Sequence, residues 1–306
     1  MPASSRRALF GAMAANVAIA VVKFAVGALT RSTVMIAEGI HSLVDTGNSA
    51  LMVVGEARSR KRADEQHPFG YGMELYFWSL VVAMVVFGGG GGLSAYEGVR
   101  AIFHPREVTR LWPNFAVLGA AAVFEGLSLV IGLREFAAYR REKRFVGSAL
   151  AVMHASKNPA IFVTVLEDSA ALVGLALAAL GLTLSHWLAM PVFEGIASIL
   201  IGVVLMAEAA LLGFECRDLI IGEAARPMIV ADVRRVIAEH PAFGVAPTVR
   251  TLQLGPDAVM LVLTIRSRAD QSLVELRRAL ATLMTEIRRT TPVIRDIVFE
   301  LAPEPA

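Results

Sequence analysis

Charge is scarce in this chain. Asp, Glu, Lys and Arg make up 18% of its 306 residues and the mean hydropathy is +0.60, whereas soluble proteins carry about a quarter charged residues. That scarcity excludes an ordinary soluble globule and puts most of the chain in lipid. Cysteine is nearly absent too. Cys216 stands alone, which excludes an intramolecular disulfide and any zinc site built on several thiolates. Neither H-E-x-x-H nor G-x-S-x-G occurs, so two common hydrolase signatures are missing. From Arg217 onward the formal charge is close to neutral, so that part carries no nucleic-acid footprint. No small-residue cleavage site follows a short apolar core, so the first apolar run is expected to be a mature membrane helix, not a signal peptide.

What is present is a series of apolar windows long enough to cross a bilayer, at roughly 8–29, 33–55, 77–99, 113–133, 159–183 and 191–213. Six transmembrane helices are expected in a transport-sized domain over 1–213. The connecting segments set the orientation. Arg6, Arg7, Arg58, Arg60, Lys61, Arg62, Arg134, Arg140, Arg141, Lys143, Arg144 and Lys157 fall on one side, against Arg31, Arg100, Arg106 and Arg110 on the other. The positive-inside rule then places both termini in the cytoplasm, and the chain in the plasma (inner) membrane if it is bacterial. Trp78, Trp112, Trp187 and Tyr96 lie near the ends of the windows, where aromatic side chains anchor at the interface.

From 214 to 306 no window spans a membrane and charge returns to soluble density. Pro227 to Pro241 reads as a helix opened by proline. TVRTLQLG and AVMLVLTIRS around the turn Gly255-Pro256-Asp257 read as a hairpin. Leu273, Leu276, Leu280, Leu283 and Ile287 recur at helical spacing between Ser272 and Arg289. Val293 to Leu301 reads as a closing strand. The order αββαβ predicts a small split α+β domain.

The chemistry sits inside the second apolar run. His41 and Asp45 are four residues apart, which puts both side chains on one helix face. Ionisable groups at membrane depth are expensive and face a partner, a cavity or an ion path. Imidazole with carboxylate is a donor set for divalent transition metals. Glu167 and Asp168 interrupt the fifth run. If that helix enters at Pro159 from the cytoplasm, Asp168 reaches the depth of His41 and Asp45. Neighbouring residues on a helix point about 100° apart, so Asp168 is favoured as a ligand, while Glu167 either ligates or bonds a neighbouring helix. The mixed N/O set suits Zn²⁺, Mn²⁺, Fe²⁺ or Co²⁺. Thr164, one turn before Asp168, is a poorer ligand than a second carboxylate.

Other polar residues in the apolar runs are secondary candidates. Glu38 and Asn48 flank the His41–Asp45 pair on nearly the same face and would orient ligands or line an access path, with helix packing the favoured role for Asn48 and Asn16. Glu125 sits near the site or relays a proton. Glu194 and Glu208 are expected to reach water near the ends of the sixth run. Lys23 snorkels or pairs with a carboxylate. The glycine run 88–92 marks close helix packing or a kink.

IAEGIHSLVDTGNSALM, HPFGYGMELYFW, VLEDSAAL and ECRDLIIGEAA, in that order along the chain, resemble the cation diffusion facilitators, and LEDSAAL with LQLGPDAVMLVLTI resembles the zinc transporter 9-like branch. The resemblance implies a homodimer of six-helix protomers, each with a cytoplasmic ferredoxin-like domain, exchanging divalent metal, zinc above all, for protons. It maps the transport site onto His41, Asp45 and Asp168. Many zinc-exporting members carry His where this chain has Thr164, a loss for which Glu167 would compensate. The tail lacks the family's His and Asp cluster, His240 being its only histidine, so no cytoplasmic metal site and no resident cofactor are expected.

The residues support coupling independently of the resemblance. Metal ligands must shed protons before they bind, so proton and metal compete for one site. A membrane-embedded metal-dependent enzyme and a metal-sensing membrane protein are the competing readings. No nucleophile stands beside His41, and the ligand-poor tail disfavours a sensor.

Overall fold

The computed structural model describes residues 3–106, 108–142, 145, 147–240, 248–265 and 272–301. Six long helical stretches match the apolar windows: α1 (Ala3–Thr30), α2 (Thr33–Ser59), the pair α3 (Glu74–Val85) and α4 (Leu93–Phe103) joined by a π-helical segment, α5 (Trp112–Glu142), α7 (Pro159–Trp187) and α8 (Val192–Ile221). A short helix, α6 (Ala149–Ser156), precedes α7. Five of the stretches are long and apolar enough to cross a membrane. The 27-residue α2 is long enough, but Glu38, His41, Asp45 and Asn48 dilute its apolar content. α2 is thus the stretch that buries Glu38, His41 and Asn48.

The π segment, Val86–Gly92, coincides with the glycine run. Five consecutive glycines supply no side chain to hold α-helical register, and π-bulges occur where a helix must re-aim. Of the two anticipated roles, close packing is realised here, within a π-helical segment. The segment and α4 lie against α8 through facing glycines: a Cβ added at Gly98 would stand 2.6 Å from the Gly195 carbonyl oxygen, and one at Gly202 would stand 2.6 Å from that of Gly91. Small residues at such contacts let backbones approach where lipid offers no hydrophobic drive. The Ser198 hydroxyl donates to the Ser94 carbonyl at 2.8 Å across the same seam.

By internal contacts the chain forms two units, 1–55 with 77–147 and 159–216, and 56–76 with 148–158 and 217–306. The second unit contains a ferredoxin-like αββαβ domain: α9 (Pro227–Glu239), β1 (Thr248–Gly255), β2 (Ala258–Ile265), α10 (Leu273–Thr290) and β3 (Ile294–Leu301). The sheet order is β1-β2-β3, with β1 antiparallel and β3 parallel to β2. Alternate β2 residues Val259, Leu261, Leu263 and Ile265 are buried, as a strand with one covered face requires. They meet Val233 and Ile237 of α9 and Leu283 and Ile287 of α10 in one core. Ser272 and Glu275 cap α10 reciprocally, satisfying two of its orphan amides.

The loop 60–73 belongs to this second unit. The Tyr71 hydroxyl donates to Asp64 at 2.7 Å and the His67 amide donates to it at 2.9 Å. These two bonds, the hydroxyl's foremost, hold the Asp64 carboxyl well below the usual carboxylate range. Lys61 donates to the Tyr71 oxygen at 2.9 Å, and its ammonium is stabilised accordingly. Gly72 lies so close to the end of β1 that any Cβ there would collide with the Leu254 carbonyl oxygen.

Candidate metal centre

Glu38, His41, Asp45 and Asn48 repeat at intervals of three, four and three along α2, so they form one polar stripe. Glu38, His41 and Asn48 are buried, with exposures of 0%, 2% and 0%. His41 Nε2 lies 3.3 Å from Asp45 Oδ2, but out of line for a hydrogen bond, and neither ring nitrogen has a hydrogen-bond partner. Buried polar atoms are nearly always satisfied. The His41 imidazole therefore has both nitrogens available to a ligand, beside a carboxylate.

From α7, Glu167 faces this stripe. Its Oε1 accepts from Asn48 Nδ2 at 3.2 Å, and among the acidic groups around Asp45 its charge is felt most, ahead of Glu208 and Glu125. Asp168 is turned toward α5, beside Ser128 and Glu125, and its Oδ2 is buried without a hydrogen-bond partner. Thr164 is exposed one turn earlier, with its methyl near Gly132 of α5. The sequence favours Asp168 as a ligand and leaves Glu167 either to ligate or to bond a neighbouring helix; Glu167 makes such a bond, to Asn48 of α2. The cause is the 100° between adjacent side chains, which sends one carboxylate to α2 and the other to α5. Among the described residues, no three of His, Cys, Asp or Glu are drawn together tightly enough to hold an ion as they stand.

One neighbour of this cluster escapes sequence reasoning. Glu208, expected to reach water, is partly buried and lies within electrostatic reach of Glu167 and Asp45. Its position in the otherwise apolar stretch IGVVLMAEAALLG was the available signal. Lys23 of α1, 2% exposed, donates from Nζ to Glu38 Oε2 at 2.9 Å and to Ser42 Oγ at 2.8 Å. Of its two anticipated roles it takes carboxylate pairing. Glu194 also departs from expectation. It is buried and accepts from the Ser32 hydroxyl at 2.8 Å and the Thr33 amide at 3.0 Å, so it caps the start of α2, where a carboxylate is favoured by the exposed amides.

Residues 9–221 match the family model described as the cation efflux transmembrane domain. The chain is 30% identical over 234 residues to the mitochondrial proton-coupled zinc antiporter SLC30A9 of Homo sapiens, covering 76% of this chain and 41% of that protein. Against metal tolerance protein C4 of Arabidopsis thaliana it is 30% identical over 223 residues, covering 72% of this chain and 48% of the relative. The chain thus spans less than half the length of either. The magnetosome protein MamB of Magnetospira sp. matches along nearly its whole length, 22% identical over 295 residues, with 94% of this chain and 92% of the relative covered.

Proposed function

Since the chain belongs to the cation efflux family, the cation diffusion facilitators, we propose that it moves a divalent transition metal, Zn²⁺ foremost, out across its membrane in exchange for protons. The observation that carries this reading is His41: a buried imidazole with both nitrogens unpartnered, 3.3 Å from Asp45. The cargo binds between α2 and α7, with His41, Asp45 and Asp168 as ligands and Glu167 as the carboxylate already turned toward α2. In the empty site the carboxylates repel one another, and an arriving dication relieves that repulsion. Protons relieve it too, so the site alternates between the two cargoes. Glu125 and Glu208, within electrostatic reach of this cluster, extend the path along which protons arrive and leave. A family of transporters leaves no role for the enzyme reading.

We propose further that the protein works as a homodimer with both termini in the cytoplasm. Twelve basic residues on one side of the membrane against four on the other support the orientation. Uptake of Zn²⁺ into sealed proteoliposomes tests the function. The expected result is accumulation only when a pH gradient is imposed. Equilibration without the gradient would indicate a channel, and no movement would refute transport.

A further inference from the structure

We propose that Lys23 determines metal preference by occupying Glu38, so that this carboxylate stays out of the ion's ligand set; the proposal rests on the transport reading above. A buried ammonium is tolerated only with a close partner, and Lys23 has two, Glu38 Oε2 and Ser42 Oγ, at 2.9 and 2.8 Å. Both members of the ion pair are sealed from solvent, at 2% and 0% exposure. Glu38 nevertheless keeps one oxygen in reserve, since Oε1 is buried and has no hydrogen-bond partner.

That reserve oxygen faces the site. A Cβ added at Gly174 of α7 would stand 2.8 Å from Glu38 Oε1 and 3.6 Å from His41 Nδ1. The absent side chain at Gly174 therefore leaves one small space shared by the imidazole and the spare carboxylate oxygen. Without Lys23, Glu38 would be a full anion next to His41, and an ion there would gain an oxygen donor. Oxygen-rich sets favour Mn²⁺, whereas imidazole with few carboxylates favours Zn²⁺. With Lys23 in place the Glu38 charge is neutralised and one of its oxygens is engaged. Lys23 is thus a tethered cation holding a place that a metal would otherwise take.

The test is competitive binding of Zn²⁺ and Mn²⁺ to the purified full-length chain, read by metal analysis after equilibrium dialysis, with proteoliposome transport alongside. Lys23→Met is expected to move the Zn²⁺ to Mn²⁺ ratio toward Mn²⁺ by about tenfold or more, the scale on which groups behind a metal's ligands act. The double variant Lys23→Met/Glu38→Gln should return the ratio to that of the wild type, because the freed carboxylate is gone. Lys23→Arg should retain it. Glu38→Gln alone, which is informative even if Lys23→Met does not fold, should leave the ratio unchanged. A shifted ratio in Glu38→Gln would show that Glu38 already ligates and would overturn the proposal, as would an unshifted ratio in folded Lys23→Met. Zn²⁺ binding that is lost in Asp45→Ala while Lys23→Met shows no shift would sink this inference and spare the transport reading. A wild-type chain that binds no divalent metal would sink both.

Discussion

His41 puts an imidazole on the polar stripe of α2, with Asp45 at 3.3 Å. If the two act as ligands together with a carboxylate from α7, removing any one empties a site of few donors. Asp45→Ala and Asp168→Ala are each expected to lower Zn²⁺ transport by roughly 100-fold or more while the protein still inserts, measured as initial uptake into proteoliposomes. Transport within a few-fold of wild type would remove that residue from the site. The same measurement on Glu167→Gln separates the carboxylate that touches Asn48 from the one turned to α5. His41→Asp should keep transport and shift preference toward Mn²⁺, since an all-oxygen set has lost the donor that favours zinc. An unchanged ratio in competition would show that the imidazole does not ligate.

At the scale of elements, the seam between α4 and α8 depends on the absence of side chains. A β-branched residue at Gly98 must displace the backbone at Gly195, which a Cβ would approach to 2.6 Å. Overpacking of this kind costs about 1–3 kcal/mol or more, so Gly98→Val should lower the melting temperature in detergent by several degrees. An unshifted melting curve would mean that the seam is looser than this geometry. The loop 60–73 depends on Asp64 in the opposite way, through bonds made. Because Tyr71 and His67 lower the Asp64 pKa in the folded state, the network is complete above the ordinary carboxylate range and is lost only as pH falls through the depressed value. The His67 and Gln66 amides, both bonded to Asp64, should therefore stay protected from hydrogen exchange between about pH 5 and 8. Asp64→Ala should expose them throughout that window. Equal exchange in variant and wild type would show that the loop is held by other means.

For the whole molecule, orientation is the property that most constrains the direction of transport. Single cysteines at Arg60 and at Arg100, introduced over the native Cys216, which is buried, would report it. With both termini in the cytoplasm, a membrane-impermeant thiol reagent added from outside intact cells should label the residue-100 variant and spare the residue-60 variant. The reverse pattern would invert the topology derived from the basic residues.

Much of the architecture is local and was therefore legible. Six long helical stretches, five of them apolar enough to cross a membrane, follow from runs of 20 or so apolar residues. The αββαβ order follows from alternation in β2, the Gly255-Pro256-Asp257 turn and the three-four spacing in α10. The polar stripe of α2 follows from its own periodicity, so His41, Asp45, Glu38 and Asn48 could be named together without coordinates. What the sequence could not decide is the rotation of one helix against another. Whether Glu167 or Asp168 meets α2 turns on a 100° difference settled by how α7 packs on α5 and α2. Whether Lys23 finds Glu38 and Glu194 finds the start of α2 turns on pairings 15 and 162 residues apart along the chain. Periodicity reports which face of a helix is polar; only packing chooses the neighbour that face is given.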